Sequence, residues 1–325
     1  MTPRALTVDR RRQRGAALLI AMIILTLVST IAASMVWQQW RAIQVEAAER
    51  ARSQSAWILN GALDWAGLIL REDLRQTGNR PPVDHLGEPW AVPLAEARLS
   101  SFLAADRDNT ADADAQGPEA FLSGVITDAN AKYNLHHLMP SGEGRQAPAA
   151  QVAIFRQLCE LLSVPGSTAD RIVEGLARAD QGAADAPVMP QRVEQLIWLG
   201  VDPADLKRLE PHVTLVPDGE AKVNLNTASR EVIAAVTGTD LSTADLLVQV
   251  RQRDPLQGVE NVRALNIPED KLQHIAFKSD YFEVQGEVRL GDRVLRERSL
   301  VHRVPNERRV AVIRRERVNL VSTGR

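Results

Sequence analysis

The chain has 325 residues, 45% of them hydrophobic, and sets 39 Lys and Arg against 41 Asp and Glu for a formal net charge of −2. That length accommodates two folded domains beyond an anchor, and the near-balance of charge excludes a broad cationic field for nucleic acid. The single cysteine, Cys159, excludes an intramolecular disulfide, so stability rests on packing.

The first predicted element is a membrane helix. Arg4, Arg10, Arg11, Arg12 and Arg14 lead through Gly15 into the uncharged span Ala16 to Val36. At about 1.5 Å rise per residue that span covers roughly 30 Å, the hydrocarbon thickness of a bilayer. Arg41, Glu46, Glu49 and Arg50 mix both signs after it, so the leader is expected in the cytoplasm and the bulk outside the membrane. A secretory signal peptide is the alternative, but its apolar region is about 7 to 15 residues long and ends at a small-residue cleavage site. Beyond Val36, Trp40, Ala47, Ala51, Ile58, Ala62, Trp65 and Ile69 recur at helical spacing, which predicts one helix from about Ala16 to about Gln76.

The junction of basic residues, one glycine and an unbroken apolar helix that continues as an amphipathic one resembles the type IV pilin class of prepilins. The resemblance implies that a prepilin peptidase cuts after Gly15 and methylates the new terminus at Ala16. Most members carry Glu at the fifth mature position, where this chain has Ile20. A carboxylate inside the bilayer is costly and is retained only with a charged partner, such as the terminal amine of a neighbouring subunit. A subunit with Ile20 offers no such partner and suits the first place in a filament.

From Gly78 to Gly117 the sequence reads as loop, with NRPP, the patch Pro89 to Pro93 and the acidic stretch DRDNTADADAQGPE. Asp106, Asp108, Asp112 and Asp114 alternate as in a calcium loop, yet Ala111 stands where such a loop needs glycine and Gly117 where it needs glutamate. A solvated linker without cofactor is expected, and calcium is the one cofactor candidate. FLSGVITDANAKYNL has strand composition with a turn at Asp128 to Ala131. His136 and His137 follow without a ligand partner at metal spacing.

After a Gly/Pro linker from Pro140 to Pro148 the chain reads as short helices. Val152 to Leu162 carries Cys159 on its apolar face as a buried thiol. Ser167 with Asp170 has the form of a capping box before Ile172 to Ala177. Val193 to Leu199 ends at Gly200, and Pro203 opens a helix that Pro211 closes. GSTADRIVEGLAR and LSTADLLVQVRQR share a helix start and point to two related units. Between them, KVNLNTASREVIAAV offers Asn226 or Thr227 as the cap of a helix over Ser229 to Val236. YFEVQGEVRL and RVLRERSLVHRV flank Gly291 and Asp292 as a hairpin, and RVAVIRRERV from Arg309 adds a strand. The arginines from Arg289 to Arg317 read as a solvated sheet face.

The order of an anchor without the glutamate, a strand followed by KYNLHHL, a helical insertion, and VNLNTASREVI after VEQLIWLG and LVPDG is similar to the K-type minor pseudopilins of bacterial type II secretion, the general secretion pathway protein K family. The likeness runs from Gly15 to about Arg303, with a departure from the usual double asparagine at His136. It implies an α+β, pilin-like fold: a long N-terminal transmembrane helix packed on an antiparallel sheet, with an inserted all-helical domain of SAM-like or helix-hairpin-helix-like form. The implied divisions are a leader at 1–15, the membrane helix at 16–36, the first pilin-like part at 37–139, the helical insertion at 140–276 and the C-terminal strands at 277–325.

The implied function is a subunit at the tip of the secretion pseudopilus, initiating or capping the filament for export of folded proteins across the outer membrane. The implied partners are I-type and J-type minor pseudopilins, the prepilin peptidase and the inner-membrane secretion platform, with a single-pass inner-membrane location. A minor subunit of a type IV pilus is a neighbouring reading. A membrane-anchored DNA-binding protein is another, because SVPGSTADRI has the order of a phosphate-holding hairpin. Against it, Asp170, Glu174, Asp180 and Asp185 offset Arg171 and Arg178, leaving no cationic stripe. The sequence has no Walker loop, dinucleotide glycine motif, GxSxG elbow or HExxH pair, so no enzyme is expected.

Overall fold

The structure is a computed structural model that describes residues 10–74, 83–100, 119–140, 146–182, 185–263, 265, 267–291, 293–304, 307 and 309–318, with side chains from Ala16 onward. Residues 1–57 and 58–325 form two compact units. Helix α1, Arg10–Asp73, runs through both. In the first unit its span is uncharged, and its two threonine hydroxyls are satisfied locally: Thr26 donates to the Ile23 carbonyl at 2.9 Å and Thr30 to the Leu27 carbonyl at 2.8 Å. Such back-bonding lets a hydroxyl sit in an apolar helix without an orphan donor.

In the second unit, Leu59, Leu63, Ala66 and Leu70 fall on one stripe of α1 and are buried, as helical periodicity requires. They meet a five-stranded antiparallel sheet of order β1-β2-β7-β8-β9. Its strands are β1, Leu94–Arg98; β2, Ala120–Asp128; β7, Tyr281–Leu290; β8, Arg293–Val304; and β9, Arg309–Val318. Alternate residues Phe282 and Val284 of β7 join Ile126, Val301 and Trp90 in the core under α1. The hairpin between β7 and β8 pairs Leu290 with Arg293, and Gly291 at its turn takes the left-handed φ of 58° that favours glycine. Asp292 lies outside the described residues, as do residues 75–82 and 101–118.

This is the α+β class the sequence predicts, with one strand added. β1 lies inside a stretch read as loop. It is a short edge strand that carries Glu96 and Arg98, and pairing with β2 at Leu94 with Gly124 and Ala97 with Leu122 supplies what its composition does not.

The chain leaves the sheet at Asp128 and returns at Tyr281, and these ends lie side by side because Asp128 pairs with Phe282 in the β2–β7 register. Between them the helical insertion is built twice. The first half joins β3, Tyr133–Asn134, in parallel with β4, Val213–Thr214; the second joins β5, Val223–Asn224, in parallel with β6, Ile275–Ala276. Each half opens with an asparagine turn: Asn134 Oδ1 accepts from His136 N at 3.1 Å and Asn224 Oδ1 from Asn226 N at 2.9 Å.

Each half then folds a helical hairpin. Helices α2, Ala149–Leu161, and α3, Gly166–Gln181, form the first. After α4, Pro203–Leu209, helices α5, Arg230–Thr237, and α6, Leu241–Arg253, form the second. The backbone device at both corners is the same. Ser163 and Gly238 take φ of 55° and 70°, and the next residue donates back to a helical carbonyl, Val164 to Cys159 at 2.8 Å and Thr239 to Ala234 at 3.1 Å. The repeat read in the sequence is therefore a repeat of backbone geometry.

Several local expectations are corrected. Helix α3 starts at Gly166 with Pro165 at its N-cap, so Ser167 and Asp170 make no capping box; Asp170 instead pairs with Arg156 at 2.7 Å. Ser229, not Asn226 or Thr227, caps α5 by accepting from Val232 N. Val193–Leu199 is a 3-10 helix ended by Gly200 at φ 80°. Cys159 is buried in the helical core, where burial pushes its thiol up to about 12, so it is an inert packing residue as expected.

The matched corners set a measurable asymmetry. Gly238→Ala is expected to cost about 1–2 kcal/mol because an L side chain is strained in the left-handed region, whereas Ser163→Gly is expected to be neutral or stabilising. Urea unfolding of the full chain in detergent measures both.

Candidate functional site

Two regions carry functional geometry, and each is built from its own unit. In the first, Gly15, Ala16 and Ile20 lie on the continuous helix α1. Ala16 and Ile20 are exposed, and so are Leu18, Leu19, Met22, Ile23 and the further large apolar residues to Val36. Among the described residues α1 is the one helix long and apolar enough to cross a membrane, with a mean hydropathy of 2.6 in its most apolar stretch. Trp37 and Trp40 follow the span and are exposed, with the Arg41 guanidinium 4.8 Å over the Trp37 ring. Tryptophan and arginine at that position form the belt expected where a helix leaves the hydrocarbon.

The second region is a buried polar node where the insertion meets the sheet. Asp128 ends β2. Its Oδ1 accepts from Asn130 N at 2.7 Å, and its Oδ2 accepts from Thr227 Oγ1 and Ser279 Oγ at 2.5 Å each and from Asn224 Nδ2 at 3.1 Å. Asn224 Nδ2 also reaches the Asp84 carbonyl at 3.0 Å. Asn130 crosses the junction, donating to the Lys222 carbonyl at 2.9 Å and accepting from Tyr281 N at 3.0 Å. Asn226 fastens the second helical half to itself by donating to the Leu256 carbonyl at 2.9 Å and accepting Leu256 N at 2.8 Å. Burial pushes Asp128 up to about 6, and the hydroxyl bonds from Ser279 and Thr227 oppose the rise.

Arg303 of β8 extends the node to the end of α1. It is 3% exposed and gives Nη2 to both Asp84 oxygens at 2.6 and 2.5 Å and to the Ser279 carbonyl at 2.6 Å, and Nη1 to Asp73 at 2.8 Å. Its guanidinium lies 4.8 Å over the Phe282 ring. Asp73, Asp84 and Glu88 place carboxylate oxygens within 4.8 Å of one another, an arrangement that can hold a cation. Arg303 is that cation for Asp73 and Asp84, so the place of a cation is taken from within the chain.

The arginine-rich strands are only in part the solvated face expected: Arg293, Arg309, Arg315 and Arg317 are exposed, but others are drawn inward. Besides Arg303, Arg298 is half-buried between Glu194 at 2.5 Å, Glu283 at 3.3 Å and Glu316 at 3.8 Å. Arg192 meets Glu316 at 2.5 Å. These pairs tie the 3-10 helix of the insertion to the sheet. Asp106, Asp108, Asp112 and Asp114 lie outside the described residues. In the hairpin that prompted the DNA-binding reading, Arg171 donates to the Gly200 carbonyl at 3.0 Å and Arg156 pairs with Asp170, so these cations serve internal contacts.

An apolar cavity of about 240 Å³ beside α1, lined by Leu63, Trp65, Trp90, Ile126 and Val284, has Ser299 and Glu297 among its few polar walls. Neither there nor in the node do a nucleophile, a base and an oxyanion donor converge. The arrangement positions domains. The sequence pointed to Asn134 and Asn224 through their motifs but gave no signal for Asp84, Asp128, Ser279 or Arg303.

Residues 131–218 match the family of type II secretion system (T2SS) protein K. The chain is 29% identical over 311 residues to type II secretion system protein K of Pseudomonas aeruginosa, covering 87% of each, and 28% identical over 327 residues to that of Pectobacterium carotovorum, covering 90% of this chain and 93% of the relative. Its fold is similar to a chain in the crystal structure of the GspK-GspI-GspJ complex from the Type 2 Secretion System of enterotoxigenic Escherichia coli. The TM-score is 0.62 with 20% identity, over 84% of this chain and 98% of that one.

The node makes two measurable demands. Asn224→Ala removes a donor shared by Asp128 and Asp84 and is expected to destabilise the full chain in urea unfolding by about 2–4 kcal/mol. Asp128 has its carboxyl raised from 3.8 to about 6, so its contribution is fully present below the unfolded value and is lost as pH rises through the folded one. The stability of wild type relative to Asp128→Asn is therefore expected to fall between about pH 4 and pH 7, as denaturation across that range will show.

Proposed function

We propose, for a chain that belongs to the type II secretion system protein K family, the role of a minor pseudopilin at the tip of the pseudopilus. There it starts or caps the filament that serves export of folded proteins across the outer membrane. The observation that carries this reading is Ile20, an apolar side chain exposed on α1 where subunits of a filament body carry an ionic contact. With no carboxylate there, the helix associates in the membrane by packing alone.

The partners in this reading are I-type and J-type minor pseudopilins, whose counterparts GspI and GspJ share the crystal with the similar chain. The helical insertion, fastened to the sheet at the polar node and by the Arg298 ion pairs, makes a bulky head that keeps further subunits from adding above. The basic leader stays in the cytoplasm, the prepilin peptidase cleaves after Gly15 and methylates Ala16, and the folded unit faces the periplasm from a single pass of the inner membrane. The secretion platform then handles the processed subunit. The role is non-enzymatic and needs no cofactor.

Deleting the chain is expected to abolish efficient secretion of exoproteins, and unimpaired secretion in the deletion strain would contradict the role. Ala21→Asp places a charge in the span at a cost of about 3 kcal/mol and is expected to weaken recovery of I-type and J-type partners roughly a hundredfold, measured by quantitative co-purification from membranes. Mass spectrometry of the mature protein is expected to find methylated Ala16 as the first residue.

A further inference from the structure

Among the described residues, the end of α1 is held to the sheet by a contact with more negative charge than positive. Asp73 lies in the last turn of the helix and reaches Arg303 through a single bond of 2.8 Å. Arg303 does not depend on it, because Asp84 and the Ser279 carbonyl already take its Nη2, and Asp84 is itself fixed by Ser279 N at 2.7 Å. On the other side stands Glu88, anchored toward the cluster by Trp90 Nε1 at 2.5 Å and by His85 N at 3.1 Å. Among the described residues, three carboxylates thus crowd within 4.8 Å around one guanidinium that a single carboxylate, Asp84, is enough to neutralise.

We propose that Asp73 and Arg303 form a proton-operated latch: one proton held among the three carboxylates keeps the last turn of α1 gripped to the sheet, and loss of that proton releases it. A protonated Asp73 still accepts the Nη1 bond without adding charge, whereas an ionised Asp73 sets a surplus negative charge against Glu88 and Asp84 in a half-dry site. The charged groups acting on Asp73 are Asp84 and Glu88 from the segment after the helix and Arg303 from β8; Glu72 stands beside it on α1, and His85 lies 3.7 Å from Glu88. Burial first, then the charges of Glu88 and Asp84, push the Asp73 carboxyl up to about 7 against the pull of Arg303. The sign follows: a raised carboxyl stabilises the closed form on the acid side and loses that contribution as pH rises through the folded value. Asp73 acts through Arg303 to position the helix end.

Hydrogen exchange of the full chain in lipid nanodiscs, corrected for intrinsic rates, tests the latch at the amides of Ile69 to Asp73. In wild type the protection there is expected to drop about tenfold between about pH 6 and pH 8.5, since each unit below the folded value of about 7 is a factor of ten in the closed-to-open ratio and the dependence flattens above it. Asp73→Asn, which keeps an acceptor and cannot ionise, is expected to hold the same protection at both values. Glu88→Gln, which relieves the repulsion while keeping an acceptor for Trp90, is expected to shrink the drop, and it decides the matter if Asp73→Asn does not fold. Equal protection of wild type at both pH values, or an undiminished drop in either variant, would overturn the proposal.

Discussion

One buried carboxylate, with no cation at its side among the described residues, joins the two parts of the folded unit. Asp128 stands where β2 ends and the insertion begins, and the insertion returns to the sheet one strand away at Tyr281. At such a junction neither the sheet ladder nor a helix satisfies the backbone, and buried polar groups there still need partners. The solution is a closed set of donors, Thr227, Ser279, Asn224 and the Asn130 amide, drawn from three separate stretches of chain onto one side chain. A network of this kind is rigid when complete and costly when one member is missing. The place of the helical domain on the sheet is thus fixed by polar geometry at its root and by the Arg298 and Arg192 ion pairs farther out.

In the proposed role this division of labour has a mechanical sense. The apolar half of α1 offers only packing contacts along its span. Specificity of place would then fall to the second unit, and a head that wobbled on its sheet would not present one surface to its neighbours. The duplicated helical halves share one large core, so the head moves as a body.

What was legible in the sequence had a local cause. The anchor announced itself by length and hydropathy, the β7–β8 hairpin by alternation around Gly291, and the repeat by its shared STAD helix starts. What was hidden depended on partners remote in sequence. Arg303 bonds Asp84 at a separation of 219 residues and Arg298 bonds Glu194 at 104, and nothing along the chain distinguishes such arginines from solvated ones. Asn226 and Thr227 have the chemistry of helix caps, but Leu256 and Asp128 claim them, leaving the cap to Ser229. Strand β1 is too short and too charged to signal itself without β2 beside it. For the membrane helix, Gly15, Ala16 and Ile20 were legible as a pattern because the proposed processing and assembly would read the chain locally.

The central claim is positional, and imaging settles it. Pseudopili assembled in cells that carry a tag on this chain, decorated with gold and viewed by electron microscopy, are predicted to show one label at one end of each fibre. Labels repeating along the shaft would contradict the account.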